Sequence, residues 1–139
     1  MLVAASLAIT LFLGSTHAMS HPAGAHFRVP HGVANAIHLP HVIRFNAEGD
    51  SHTANRYRDV GELLGVESGG SDQAVGDALA THVSELVARL GLPTRLSEVG
   101  VPEKGIPVLV EGAMGDGTTL LNPREPSEED YDELFRRAL

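Results

Sequence analysis

Histidines are the side chains of this sequence whose number and spacing could support chemistry. Six of the eight lie between Gly14 and Asn46, namely His17, His21, His26, His31, His38 and His41. No Asp, Glu, Lys or Arg occurs from Met1 to Phe27, so imidazoles are the ionisable groups of an otherwise apolar stretch. An unpaired buried polar group costs roughly 1–3 kcal/mol, and such histidines must therefore be hydrogen-bonded or bound to a metal.

Three of these histidines are predicted to meet where two helices approach each other. His17 and His21 are four residues apart, which places both imidazoles on one face of a helix. Pro22 follows at once and predicts that this helix ends near His21. Pro30 then opens the next apolar run, so His31 is predicted at the start of a second helix. Together the three could bind a divalent metal through neutral imidazole nitrogens. For each one alone, a core or capping histidine bonded to a nearby carbonyl is the favoured interpretation, whereas the three together favour the metal.

Two segments carry a resemblance to a known family: HAMSHPAG, starting at His17, and PHGVANAIHLPHVIRFN, starting at Pro30. In this order and spacing they resemble the second signature of the iron-containing (group III) alcohol dehydrogenases. The resemblance implies that His17 and His31 are two of the family's four ligands to Fe²⁺, a site that Zn²⁺ could also occupy. It implies that His21 lines the site near the nicotinamide and the reacting carbon, where it would shape the site or relay a proton.

Residues next to these motifs are expected to support them. Asn35 is a plausible partner for the second nitrogen of a ligand histidine, the kind of bond that fixes an imidazole tautomer. His38 and His41 are interpreted as structural or interfacial rather than as ligands, and Pro40 is expected to kink or shorten the second helix.

Composition excludes several classes of function. The chain has 139 residues, a net charge of −8 and only 10 Lys and Arg, so it lacks the basic footprint of a nucleic-acid-binding protein. It has no cysteine, which excludes thiolate metal sites and fits a reducing, cytoplasmic location. Met1 to Leu13 is apolar but shorter than the ~20 residues that span a bilayer. It also lacks the positive start of a secretory signal, and a buried helix is predicted there instead.

Apolar residues recur at helical spacing along the chain, and no strand pattern rises above them. The sequence therefore predicts an all-α fold, a small bundle of about five to six helices forming a single domain over residues 1–139. Beyond the first two helices, at about 1–21 and 30–46, helices are predicted over 54–66, 72–90 and 106–114, with a last one after Ser127. The predicted buried stripes are Tyr57, Val60, Leu63 and Leu64; Val75, Leu79, Val83, Leu86 and Leu90; and Tyr131, Leu134, Phe135 and Ala138.

The family's other parts have no counterpart in this sequence. Family members have an N-terminal α/β domain with a glycine-containing nucleotide-binding turn, and no Gly-rich turn after a strand occurs here. Their remaining two ligands are an Asp and a His four residues later on an earlier helix. The nearest similar residues, Asp77 and His82, come after His31 instead. No cofactor-binding residue is therefore assigned.

The resemblance implies the C-terminal, metal-binding part of an iron-dependent, NAD(P)-linked alcohol dehydrogenase, acting on small alcohols or aldehydes and expected to be inactive alone. The alternative is a non-catalytic helical metal-binding or interaction module descended from such an enzyme. Either way we expect a homo-oligomer or a missing N-terminal half as partner, with Met1–Leu13 and Val33–Val42 as the exposed apolar faces.

Overall fold

The computed structural model describes residues 14–139, and the helix predicted over Met1–Leu13 lies outside them. Six α-helices and no strand occur within this range, which confirms the all-α prediction. The helices are α1 (Ser15–Phe27), α2 (His31–Gly49), α3 (Ser51–Leu63), α4 (Asp72–Arg89), α5 (Ile106–Met114) and α6 (Glu128–Ala138). Single 3₁₀ turns at Leu96–Val99, Glu103–Gly105 and Gly117–Leu121 connect the later helices.

Helix α2 lies at the centre of the bundle and contacts α1, α3, α4 and α6. The main core contains side chains from α1, α2, α5 and α6, with Met19, Ile37, Leu109 and Phe135 among its buried members. A smaller cluster, formed by Ile43, Leu79 and Ala80, joins α2 to α4. The predicted last helix is confirmed: Tyr131, Leu134, Phe135 and Ala138 are buried, and Ser127 and Asp130 form a reciprocal capping box.

The prediction that the first helix ends near His21 is wrong, because α1 continues through Pro22 to Phe27. Pro22 is buried against α5, where a Cβ added at Gly112 would lie only 2.6 Å from the Pro22 Cβ. This close approach of two helices outweighs the one backbone hydrogen bond that a proline removes. The helix ends at Phe27, and the next residue, Arg28, adopts a left-handed conformation (φ 58°) that turns the chain toward α2. Helix α2 likewise continues past Pro40 to Gly49, rather than being shortened there.

Two predicted buried stripes are only partly buried. On α3, Val60, Leu63 and Leu64 are exposed, the last two at 87% and 50%. On α4, Val75 and Leu79 are buried, whereas Leu86 and Leu90 are exposed. The segment of α2 that was predicted to be exposed is instead largely covered. Residues 33–42 are mostly buried or half-buried, and Leu39 is the large apolar side chain exposed there.

The exposed part of α4 borders an apolar groove of about 950 Å³. Its walls come from α1, α2, α3, α4 and the chain after the last 3₁₀ turn, with Leu39, Leu86, Leu90, Leu92 and Leu121 among the lining residues. Among residues 14–139, no helix has the length and apolar character needed to cross a membrane.

Candidate active site

The structure brings the three predicted histidines together where the first half of α1 lies beside the start of α2. The ring centroids of His17 and His31 are 5.2 Å apart, those of His21 and His31 5.4 Å, and those of His17 and His21 6.0 Å. His21 and His31 stack with only 17° between their ring planes. The cluster is therefore a compact group of imidazoles, two from the first half of α1 and one from the first residue of α2.

A short turn and a fixed helix start produce this arrangement. Helical periodicity places His17 and His21 one turn apart on α1. The three residues after α1 reverse the chain, and His31 becomes the first residue of α2. The start of α1 is held in place because the Ser15 backbone N–H donates to Asn122 Oδ1 at 3.1 Å.

The environment of His17 favours the neutral imidazole. Burial lowers the pKa of His17, the nearby His31 and His21 lower it further, and the Asp116 carboxylate acts in the opposite direction. A neutral imidazole keeps a free lone pair, which is the form that binds metals. Two imidazoles sharing one tetrahedral ion, with metal–nitrogen distances of about 2.0–2.1 Å, would have their centroids about 5 Å apart. The His17–His31 pair fits such an ion in both chemistry and spacing.

Asn35 contacts His31 in the way expected of a histidine's partner. Its side-chain amide donates to His31 Nε2 at 3.0 Å, one helical turn along α2. This bond uses the lone pair of Nε2. A metal would therefore bind Nδ1 of His31, or would bind Nε2 after Asn35 turns away.

The described part of the chain does not supply a complete metal shell. Among residues 14–139, no group of three or more His, Asp or Glu side chains is arranged to hold an ion. The nearest Asp and His in the sequence, Asp77 and His82, lie on α4 and are not brought into the cluster; Asp77 pairs with Arg44 instead. His17 and His31 would therefore supply about half of the ligands that a complete metal shell needs.

Asp116 is a site residue that the sequence interpretation missed. It precedes the last 3₁₀ turn, and its Oδ2 lies 2.6 Å from His21 Nδ1. Its Oδ1 accepts hydrogen bonds from the Thr118 backbone N–H at 2.8 Å and the Thr118 hydroxyl at 2.7 Å. Burial raises the pKa of the Asp116 carboxyl, but hydrogen bonds from His21 and Thr118 outweigh this, so its pKa lies below the usual value. The sequence signal was weak: one Asp in an Asp-Gly-Thr turn.

A second group of missed residues fixes the start of α1 against the later part of α2. The Asn122 amide donates to Asn46 Oδ1 at 2.6 Å, and so ties the loop to α2 as well as to α1. Arg124 covers the Phe45 ring at 3.8 Å and donates to the Phe45 carbonyl at 3.0 Å.

His38 is fully buried, in agreement with a structural interpretation. Its Nδ1 lies 3.2 Å from Ser20 Oγ, and its ring packs edge-on against Phe135. His41 is half-buried further along α2, and burial together with Arg44 lowers its pKa to about 4.

Comparisons with known proteins identify the family. The family model for the C-terminal part of the Fe-containing alcohol dehydrogenases matches residues 1–139. The chain belongs to this family. Lactaldehyde reductase of Escherichia coli K12 is 43% identical over 127 residues, covering 91% of this chain and 32% of that protein. 1,3-Propanediol dehydrogenase of Citrobacter freundii is 38% identical over the same shares of the two chains.

Solved structures of iron-type alcohol dehydrogenases share the fold. The crystal structure of a 1,3-propanediol oxidoreductase matches with a TM-score of 0.81 and 35% identity, covering 91% of this chain and 32% of that one. The alcohol dehydrogenase of Oenococcus oeni matches with a TM-score of 0.83 and 27% identity over the same shares. The chain thus spans about a third of the length of these relatives and corresponds to their C-terminal region.

Proposed function

We propose that this chain is the metal-binding C-terminal part of an iron-dependent alcohol dehydrogenase, and that residues 1–139 form one all-helical domain of it. The observation that carries the proposal is the cluster of His17, His21 and His31, three imidazoles from the first half of α1 and the start of α2 with their centroids 5.2–6.0 Å apart. Family membership supports an NAD(P)-linked interconversion of alcohol and aldehyde as the reaction of the complete protein. The names of the relatives favour small substrates such as lactaldehyde and 1,3-propanediol.

His17 and His31 are the proposed ligands. Their nitrogens suit Fe²⁺, and the same donors accept Zn²⁺. When bound, the ion would supply Lewis-acid polarisation of the alcohol, and NAD(P) in the complete protein would accept the hydride. His17 contributes a neutral nitrogen, held in position by the fixed start of α1. His31 contributes a nitrogen from the first turn of α2, with Asn35 limiting rotation of its ring.

His21 is the proposed proton-relay residue. It stacks on His31 and lies one helical turn from His17, so a substrate at the two ligands would be within its reach. Its side chain is 45% exposed, which leaves a path for a proton to solvent.

The alternative function is a non-catalytic metal-binding or interaction module. It is favoured by one observation: among residues 14–139 no group of three ligating side chains is arranged around an ion. Metal binding by His17 and His31 alone would suit either function. A chain that binds no metal at these residues would favour the module in its interaction form.

Isothermal titration calorimetry with Fe²⁺ under anaerobic conditions, and with Zn²⁺, tests the ligand assignment. We expect weak binding by the wild-type chain and loss of that binding in His17→Ala/His31→Ala, because two imidazoles are the proposed ligands. The matched control is His26→Ala/His52→Ala, which removes two exposed histidines from the same helical bundle. Equal binding by the wild type and the His17/His31 variant would exclude these residues as ligands.

A further inference from the structure

Asp116 and His21 form a side-chain pair that no sequence motif had indicated. The carboxylate Oδ2 lies 2.6 Å from His21 Nδ1, and the two residues are 95 positions apart in the chain. The Asp116 side chain is only 17% exposed, whereas His21 is 45% exposed. The carboxylate of the pair is therefore largely buried, whereas the imidazole is partly exposed to solvent.

The carboxylate is held by two hydrogen bonds of its own. Oδ1 accepts from the backbone N–H and the hydroxyl of Thr118, so the carboxylate cannot rotate without losing both. Only Oδ2 remains for His21. An ionised carboxylate has acceptors and no donor, so the proton of this contact is on His21 Nδ1.

Both partners are also tied to the same buried hydroxyl network. Thr119, three residues after Asp116, donates to the Ala113 carbonyl at 2.7 Å and lies 2.7 Å from the Tyr131 hydroxyl. The Tyr131 hydroxyl reaches Ser15 Oγ at 3.3 Å, at the start of the helix that carries His21. Because the loop of Asp116 and the helix of His21 share this anchor, their separation is fixed by the core.

The structure assigns Asp116 as the positioning residue of His21: its carboxylate holds the proton on Nδ1 and leaves Nε2 free to accept the substrate's proton. The assignment rests on the proposed function, because it specifies which nitrogen of His21, Nε2, takes up the proton in the proposed relay. In alcohol oxidation the hydroxyl proton would form an N–H bond with Nε2 while the hydride leaves the carbon for NAD(P). Asp116 keeps its charge throughout and balances the imidazolium that forms.

The tautomer expected for His21 differs from the one that an imidazole without hydrogen-bond partners adopts. A neutral histidine without partners carries its proton mainly on Nε2, and such a ring would face the substrate with a donor instead of an acceptor. A carboxylate on Nδ1 reverses this preference, as a charge-assisted hydrogen bond is about twice as strong as a neutral one. The tautomer of His21 is therefore the quantity that separates positioning from simple packing.

Two-bond ¹H–¹⁵N correlation spectra of the metal-free chain measure that tautomer directly. At about pH 8.5, where imidazoles are ordinarily neutral, we expect His21 to show a protonated Nδ1 and an unprotonated Nε2. The His21→Gln variant assigns its signals. A wild-type spectrum with the proton of His21 on Nε2 would overturn the proposal without any further variant.

Asp116→Ser is the informative substitution. Serine can still cap the 3₁₀ turn, as Ser and Asp are both favoured caps, but it is too short to reach His21. We expect the His21 proton to move to Nε2. Retention of the Nδ1 tautomer in this variant would overturn the assignment.

Asp50→Ser is the matched control, because Asp50 caps α3 through the His52 and Thr53 backbone N–H groups and the Thr53 hydroxyl. It should leave the His21 signals unchanged. Signals of the buried His38, whose Nδ1 faces Ser20, report in every variant that the fold is intact. A change at His21 of equal size in both serine variants would refute a specific role of Asp116. Equal calorimetric binding of metal by the wild type and by His17→Ala/His31→Ala, with the His21 proton still on Nδ1, would refute only the ligand proposal.

Discussion

At the scale of single residues, two histidines on the same helix are used in opposite ways. His31, at the start of α2, is exposed and bonded to Asn35, whereas His38, two turns later, has 0% exposure. The Ser20 hydroxyl donates to the Thr16 carbonyl at 2.7 Å, so His38 donates its Nδ1 proton to Ser20 Oγ. His38 Nε2 then has no partner among residues 14–139. A proton added there would be a buried charge without compensation.

This burial makes His38 a source of acid sensitivity. Burial and, to a smaller extent, the charge of His41 together lower the pKa of His38 to about 3, against an unfolded value of about 6.5. The unfolded chain therefore binds a proton at this residue between pH 6.5 and 3, and the folded chain does not. Above pH 6.5 neither state binds a proton at His38, so this residue does not reduce the free energy of unfolding. As the pH falls through this range, the free energy of unfolding decreases, by several kcal/mol at most.

We therefore predict that His38→Leu flattens the pH dependence of unfolding. Urea unfolding at several pH values between about 7.5 and 4 should show the wild type losing stability faster than the variant. Part of the slope will remain, because burial and nearby arginines also lower the pKa of His41. His26→Leu, at an exposed position on α1, is the control. A wild-type–variant difference that stays constant with pH would contradict the prediction.

At the scale of the elements, helix type and most boundaries could be predicted from the sequence. The α5 boundaries and the Ser127 capping box follow from local signals: an apolar period, a cap residue and a helix-stopping glycine. The end of α1 could not be predicted, since the reason that Pro22 is tolerated lies in the packing against Gly112, 90 residues further along the chain. Local propensity contains no information about such a neighbour.

The candidate site likewise contains residues that could be predicted from the sequence and residues that could not. His17 and His21 could be predicted to lie together because one helical turn separates them, and His31 joins them as predicted although α1 does not end near His21. Asp116 and Asn122 could not, because they reach the site from a loop about 100 residues away. A single polar residue in a turn gives no signal of the partner it will meet.

The burial of the apolar face of helix α4 could not be predicted from its periodicity. Its apolar residues do share a face, but periodicity does not say whether another element covers that face. Leu86 is 43% exposed and Leu90 66% exposed, and both line the groove of about 950 Å³ together with Leu39, Leu92 and Leu121. Contiguous apolar surface of this kind drives association.

We therefore predict that the chain associates into dimers or larger species through the α4 side of the groove. Light scattering at about tens of micromolar should give a mass above that of one chain, and Leu86→Glu/Leu90→Glu should lower it by placing charges in the contact. The matched control is Leu63→Glu/Leu120→Glu, which changes two leucines that are exposed but do not line the groove. A wild-type monomer under these conditions would contradict the prediction, and so would an equal effect of both variants.

At the scale of the whole molecule, the chain corresponds to one region of larger proteins. It spans about a third of the length of its relatives. Residues 14–139 contain no strand, and hence no strand–turn–helix unit of the kind that binds a dinucleotide. The candidate relay residue His21 is 45% exposed, so water has free access to the place where a hydride would be transferred.

These properties predict that the chain alone will not oxidise simple primary or secondary alcohols with NAD⁺ or NADP⁺. Holding two reactants in the correct geometry supplies roughly 7–11 kcal/mol of barrier reduction, and nothing described in this chain holds the nicotinamide. The assay is NADH or NADPH absorbance with Fe²⁺ supplied under anaerobic conditions. We expect activity only when a separately expressed N-terminal portion of a relative, such as lactaldehyde reductase, is added, and we expect His31→Ala to abolish it. Turnover by the unassisted chain that disappears in His31→Ala would refute the fragment interpretation, because it would require a nucleotide site within these 139 residues.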